Sequence, residues 1–323
     1  MKNFMKISTM ILLILMFTLT ACSTRSPETE VEDQKAIEVQ VDEITRPTID
    51  RAGNSIEIPE DAQRLISFAP SITQVIDEIG LLDKVVAVDT QSPKYVEGLD
   101  ELPQFDMMTP DIEALAALDP DIMFVSGMSS AKGDNPFQQL IDLGVCVVTI
   151  PSSTSIEGVK EDNQFIADSL DQHEKGIQIN EAMQERIDAI AAIGSTIEEE
   201  KTVMFEIAAL PTIYSFGKNT FLHEMIELIG AKNVFENEQG WISVNEEAAI
   251  SENPDVILTS VNYIEDAVGE ILAREGWENM KAIQNQDVYY IDNGKSSLSN
   301  HHIVEALEEM AQVVYPEKYA ELK

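Results

Sequence analysis

Two segments of this 323-residue chain repeat one another on either side of a long proline-free stretch, and that repeat limits the folds open to it. The first reads Glu113-Ala114-Leu115-Ala116-Ala117-Leu118-Asp119-Pro120-Asp121-Ile122-Met123-Phe124. The second reads Glu247-Ala248-Ala249-Ile250-Ser251-Glu252-Asn253-Pro254-Asp255-Val256-Ile257-Leu258. In each, a glutamate in the first turn of a predicted helix stands seven residues before Pro-Asp, and an apolar strand follows. A second echo pairs Ile76-Asp77-Glu78-Ile79-Gly80-Leu81 with Ile226-Glu227-Leu228-Ile229-Gly230-Ala231. Each closes a helix that follows a Ser-Phe pair, Ser67-Phe68 or Ser215-Phe216. Between the copies, Ile179, Met183, Ile187 and Ile190 fall on one helical face. A helix there of twenty-odd residues would be roughly 35 Å long, the width of a small domain. The pattern predicts two similar lobes joined by one helix.

Within each lobe, short β-branched runs alternate with helical periods. Leu65–Phe68, Val85–Val88, Ile122–Val125 and Val145–Ile150 read as strands, with helices over 71–79, 111–118 and 136–143. Thr109 is the expected N-cap of the second helix, with Pro110 at its first position. After the long helix the strands are 202–208, 256–258 and 288–291. Ser243-Val244-Asn245-Glu246 has the spacing of a capping box. The fold class is therefore α/β: two Rossmann-like lobes with largely parallel sheets, joined by one long α-helix, with a ligand cleft between the lobes. The expected organisation is a signal peptide over 1–21, an acidic tether over 22–47, an N-terminal lobe over 48–172, the connecting helix over 173–200 and a C-terminal lobe over 201–323.

The beginning of the chain sets its compartment. Lys2 and Lys6 precede an uncharged apolar run that contains Ile11–Phe17 and ends in Leu19-Thr20-Ala21-Cys22. That run is too short to span a bilayer and reads as a secretory leader. Residues 23–47 are polar and acidic, the composition of a flexible tether. With 58 acidic and 21 basic residues the formal charge is −37, which repels phosphate backbones and excludes nucleic acid as a partner. The only other cysteine, Cys146, lies in an apolar β-branched run and reads as a buried strand residue. No Cys/His spacing suits zinc, so no metal ligands are assigned. His173 and His223 read as exposed, and His301 and His302 as cap or surface residues before the last helix. The chain has no Gly-x-Ser-x-Gly, and Gly294-Lys295-Ser296 lacks the preceding glycine of a phosphate loop. A non-enzyme is expected, with no cofactor.

Leu19-Thr20-Ala21-Cys22 resembles the lipobox of bacterial lipoproteins, which implies lipidation at Cys22, a membrane anchor and an extracytoplasmic location. The run Arg64-Leu65-Ile66-Ser67-Phe68-Ala69-Pro70-Ser71-Ile72-Thr73 is similar to the opening strand and helix of the iron-siderophore and cobalamin binding proteins, the extracytoplasmic receptors of ABC importers. Asp50-Arg51-Ala52-Gly53-Asn54, both Glu…Pro-Asp segments, Asn219–Leu222 running to Gly230–Phe235, and Val288–Ile291 match it in the same order, from about residue 48 onward. The resemblance implies a monomeric receptor that hands its ligand to a two-fold permease with its ATPase. It also implies that Glu113 and Glu247, one from each lobe, dock on permease arginines.

Ligands of open α/β sheets bind beyond the carboxyl ends of the strands. The candidate ligand-binding residues there are Pro70, Ser71, Thr90, Met108 and Gly127 in the first lobe, and Tyr214, Trp241, Asn262, Tyr263 and Ser299 in the second. Methionines and aromatics suit a large, flat or greasy ligand. Residues 48–172 contain no histidine, which argues against a free divalent ion. The resemblance implies an intact chelate, either a ferric siderophore or a cobalamin-type corrinoid. A haem receptor of the same family is the alternative. Met108 sits where some such receptors carry an iron ligand, but Asn262-Tyr263 stands where their histidine would be. A structural or adhesive lipoprotein is the alternative of another class.

Overall fold

The computed structural model describes residues 46–130 and 135–321. The leader, Cys22 and most of the tether lie outside the described residues. The first lobe is a five-stranded, all-parallel sheet of β1 (Leu65–Phe68), β2 (Val85–Asp89), β3 (Gln104–Phe105), β4 (Ile122–Ser126) and β5 (Cys146–Ile150), in the order β3-β2-β1-β4-β5. Its helices are α1 (Pro70–Glu78), α2 (Ile112–Ala116), α3 (Gln138–Asp142) and α4 (Ile156–Ser169). Helix α5 (His173–Gly194) follows, 22 residues and about 33 Å long. The second lobe contains β6 (Thr202–Glu206), β7 (Ile213–Phe216), α6 (Phe221–Leu228), β8 (Lys232–Asn233), β9 (Trp241–Val244), α7 (Glu246–Glu252) and β10 (Val256–Thr259). After these come α8 (Ala267–Leu272), α9 (Lys281–Asn285), β11 (Val288–Tyr290), α10 (Asn293–Ser297) and α11 (Ile303–Val314). Its parallel sheet runs β11-β10-β6-β8, and β7 and β9 form a separate antiparallel ribbon.

The central strands are buried end to end because helices cover both faces of each sheet, which is why β1, β4 and β10 read as unbroken apolar runs rather than alternating ones. In the first lobe one core packs Leu65, Ile72, Val75, Ile76 and Ile166 against one face, and a second packs Ile66, Phe68, Leu115 and Leu140 against the other. The second lobe does the same, with Met183, Ile187, Ile190, Phe205, Leu222 and Leu307 on one side and Met204, Ile257, Ile271 and Trp277 on the other.

The repeat has a structural cause. Asp119 and Asn253 both turn left-handed, at φ 48° and 47°, and end α2 and α7 ahead of Pro120 and Pro254. The following aspartates then pin the neighbouring strand. Asp121 Oδ2 accepts from the N–H groups of Gln63 and Arg64, at 2.7 and 2.8 Å, and Asp255 Oδ2 accepts from Thr202 N–H at 2.9 Å. The motif thus fixes where β4 meets β1 and where β10 meets β6. The second echo is less faithful. Gly80 and Gly230 both take φ +75° after their helices, but Ser67-Phe68 lies in the parallel sheet while Ser215-Phe216 lies in the antiparallel ribbon. Gly230 also allows a close approach: a Cβ there would lie 2.5 Å from the Gly194 carbonyl, so the ends of α5 and α6 meet backbone to backbone.

Three local expectations are corrected. The N-cap of α2 is Asp111, whose carboxylate accepts from Ala114 N–H at 3.0 Å; Thr109 instead bonds Asp106. No capping box forms at α7: Asn245 is the N-cap and Glu246 is the first helical residue, accepting from Trp277 Nε1–H at 3.3 Å. His223 is buried rather than exposed, and the side chain of His301, expected at a cap or on the surface, is only 12% exposed. His223 tolerates burial because Asn233 Nδ2 lies 3.4 Å from its Nδ1.

Candidate functional site

The two lobes meet through segments that follow strands. After β1, the Ser71 carbonyl accepts from the Asn300 side-chain amide at 3.2 Å, and Gln74 Oε1 accepts from the same amide at 2.7 Å. After β2, Tyr95 lies against Asn293 and Gly294: its hydroxyl is 3.5 Å from Asn293 Oδ1, and a Cβ on Gly294 would come within 2.7 Å of its ring. Ser71 and Ser299 line one narrow cavity between the lobes, together with Ser126, Ser152 and Asn163. These contacts make the floor of an interlobe cleft at the carboxyl ends of the strands.

Of the predicted residues, Ser71 and Ser299 line this cavity and are half-buried, and the others lie elsewhere. Thr90 directly follows β2 and is exposed, and Gly127 directly follows β4. Met108 is 45% exposed. Pro70 occupies the first position of α1 and is buried.

In the second lobe, Tyr214 and Trp241 lie on the β7–β9 ribbon. The register pairs Phe216 with Trp241 and Tyr214 with Ser243, which puts Tyr214, Phe216 and Trp241 on one face. Trp241 packs edge-on against Phe216 and Phe221, with ring centroids at 6.0 and 6.2 Å, and leaves 48% of itself exposed. Phe216 and Phe221 are core, so the indole is held in place with its outer surface free. Asn262 follows β10 and donates to Asn293 Oδ1 at 2.9 Å. Tyr263 is 65% exposed, and its hydroxyl accepts from Ala209 N–H at 2.8 Å.

Several charges at the strand ends are buried. Asp89, at the end of β2, is fully buried; burial raises its pKa, while hydrogen bonds from Ser92 and Gln91 oppose the rise. Glu206, at the end of β6, is likewise raised by burial, opposed by a bidentate pair with Arg274 at 2.7 and 2.8 Å. Arg274 also pairs with Glu270 and stacks on Trp277, 4.6 Å from the ring centroid. Burial pushes the Cys146 thiol up to about 11, which keeps it protonated and unreactive. Among the described residues no three His, Cys, Asp or Glu side chains gather as a metal site, and no helix is long and apolar enough to cross a membrane.

Glu113 and Glu247 do not line the interlobe cavity and occupy matching places in their helices. Each is exposed, and each is the second helical residue after a cap, Asp111 or Asn245, whose side chain accepts from Ala114 N–H or Ala248 N–H. Sequence reasoning did not single out Tyr95, Asn293 or the Glu206–Arg274 pair. The only signal for Asn293 is its place just beyond a strand.

The family model for periplasmic binding proteins matches residues 65–294. The chain is 30% identical over 295 residues to an uncharacterized ABC transporter substrate-binding lipoprotein of Bacillus subtilis, YvrC, covering 90% of this chain and 91% of that one. It is 24% identical over 325 residues to a cobalamin-binding protein of Halobacterium salinarum, covering 96% of this chain and 85% of the relative. A crystal structure from Staphylococcus epidermidis, of a possible iron-binding (periplasmic solute-binding) protein, superposes with a TM-score of 0.71. It is 26% identical and covers 79% of this chain and all of that one.

Proposed function

The chain belongs to the periplasmic binding protein family, and from that premise we propose that its interlobe cleft captures an intact metal chelate, a cobalamin-type corrinoid or a ferric siderophore, for import. It is an ABC transporter substrate-binding protein, working outside the cytoplasm with a permease and its ATPase. The observation that carries the ligand reading is the platform on the β7–β9 ribbon, where Trp241 is braced by Phe216 and Phe221 and shares its face with the exposed Tyr214. Such rings gain most from a broad apolar partner. Segments that follow parallel strands, 69–71, 89–92, 106–109, 126–129, 206–209, 259–263 and 290–293, contain no Lys or Arg, although Lys218 follows β7. That composition disfavours a strongly anionic ligand. The Tyr263 hydroxyl already accepts a backbone bond, so nothing favours it as an iron ligand over this reading.

Delivery is assigned to Glu113 and Glu247. Two carboxylates at equivalent positions on two lobes address a two-fold partner, and charged pairs set register more than affinity. Lipidation of Cys22 keeps the receptor at the membrane where that partner lies. Calorimetry with cyanocobalamin, ferric siderophores, haem, molybdate and zinc tests the ligand reading. A chelate should bind, and Trp241→Ala should weaken it by about 2 kcal/mol, roughly thirtyfold. Tight binding of zinc or molybdate with no response to any chelate contradicts it.

A further inference from the structure

The lobes are joined covalently by α5, and Ile156 and Val159 of α4 pack into the core of the second lobe. Two side chains from the second lobe cross over and tie helices of the first. Asn300 is fully buried and has every polar group committed. Its amide donates to the Ser71 carbonyl and to Gln74 Oε1 on α1, and its Oδ1 accepts from His302 N–H at 2.9 Å at the entrance to α11. Glu224 on α6 reaches the start of α4. One carboxylate oxygen accepts from Ile156 N–H, the first residue of α4, at 2.7 Å, beside the local cap Ser155, which takes Gly158 N–H. The two ties end on α1 and α4, which pack against each other under the first-lobe sheet. They add polar ties to the contacts made by α5, by Tyr95 against Asn293 and Gly294, and by Ile156 and Val159 in the second-lobe core.

We propose that Asn300 and Glu224 are positioning residues that fix the interlobe angle and thereby the width of the ligand cleft, a role that rests on the cleft being the ligand site. Ser71 carries the argument from tie to site: its carbonyl receives Asn300 while it lines the interlobe cavity opposite Ser299, the residue just before Asn300. The tie thus ends where Ser299 of the second lobe meets the first-lobe lining of that cavity. The first-lobe helices do not depend on the ties for their own starts, since α4 keeps its Ser155 cap and the first turn of α1 keeps its backbone bonds from Ile72 and Thr73 to Ala69.

The test is the distance distribution between spin labels at exposed Glu97 and Glu278, one per lobe, in the full-length chain carrying Cys22→Ser, measured with Asn300→Ala, Glu224→Ala, Glu224→Gln and the Asn300→Ala/Glu224→Ala pair. Each alanine variant should broaden the distribution, the pair more than either, while Glu224→Gln, which keeps an acceptor, should stay close to the parent. Dissociation of cyanocobalamin, the probe, should speed up about tenfold in each alanine variant, the loss of roughly one buried hydrogen bond. A distribution unchanged in the double variant overturns the proposal, whatever happens to the melting temperature. If the parent protein does not bind cyanocobalamin, the ligand reading has failed on its own, and the distance arm still decides the ties.

Discussion

His301 should make the stability of this protein fall in mild acid. Its side chain is only 12% exposed, and neither ring nitrogen has a hydrogen-bond partner. The groups that face it are Glu78 on α1, at 3.8 Å and beyond bonding distance, His302 with its ring centroid 4.1 Å away, Glu305 on α11 and Arg186 on α5. Burial is the largest influence, His302 and Arg186 act with it, and Glu305 opposes them; the imidazole is held down to about 4. Glu78 would favour the charged ring, but it is half-exposed and its field is screened by solvent. An unfolded histidine takes up its proton near 6.5, so the unfolded chain binds one more proton than the folded chain between pH 6.5 and 4. The contribution is fully present above pH 6.5 and is lost as pH falls toward 4. At about 1.4 kcal/mol per pH unit, the loss is about 2 kcal/mol at pH 5 and about 3 kcal/mol at pH 4. His301→Leu keeps an apolar filling and removes the proton site. Urea unfolding of both proteins at pH 7.5, 6 and 5 subtracts the acid response of the many carboxylates they share. The difference between the curves should grow by about 2 kcal/mol across that range. Parallel curves would mean that His301 is not held neutral, and the burial argument would be wrong.

Arg274→Met should cost about 3–5 kcal/mol, because it strands the buried Glu206 carboxylate; a loss below 1 kcal/mol in denaturant melts would show that the pair is not a desolvated one. Gly194→Ala places a Cβ 2.1 Å from the Leu228 carbonyl, so the ends of α5 and α6 must separate, and the melting temperature should fall by several degrees; an unchanged melt refutes the close approach. Cys22→Ala should release the protein from membranes washed in high salt, and retention in the membrane fraction would refute lipid anchoring.

How much was legible in the sequence depended on whether the information was local. The Pro-Asp repeat was visible because each copy completes a local job, ending a helix through Asp119 or Asn253 and pinning an adjacent strand through Asp121 or Asp255. Buried strands were visible as apolar runs. The cap of α2 was misread because Thr109, Pro110 and Asp111 all carry start signals, and only the backbone decides which carboxylate or hydroxyl faces Ala114 N–H. The β7–β9 ribbon was not legible, since an isolated β-rich run does not reveal the direction of its partner. The burial of His223 and His301 and the reach of Asn300 to Gln74 depend on residues far away in the chain, as does the pairing of Arg274 with Glu206. The burial of Pro70 at the start of α1 was not legible either, because chain position does not say which way a ring points.

The central claim is that one protein captures a ligand between its lobes and presents it through one carboxylate on each. Glu113 and Glu247 are exposed and two residues past their caps, so replacing them should cost the fold only a small helix-dipole contribution, about 0.3–1 kcal/mol each. The decisive measurement compares Glu113→Ala/Glu247→Ala with the parent protein for calorimetric affinity toward the chelate that the parent binds, and for uptake of that chelate by cells carrying the cognate permease. The account predicts unchanged affinity with uptake lost, and partial impairment in each single variant. Normal uptake by the double variant would contradict docking through these residues, and loss of ligand binding would place them in the cleft instead.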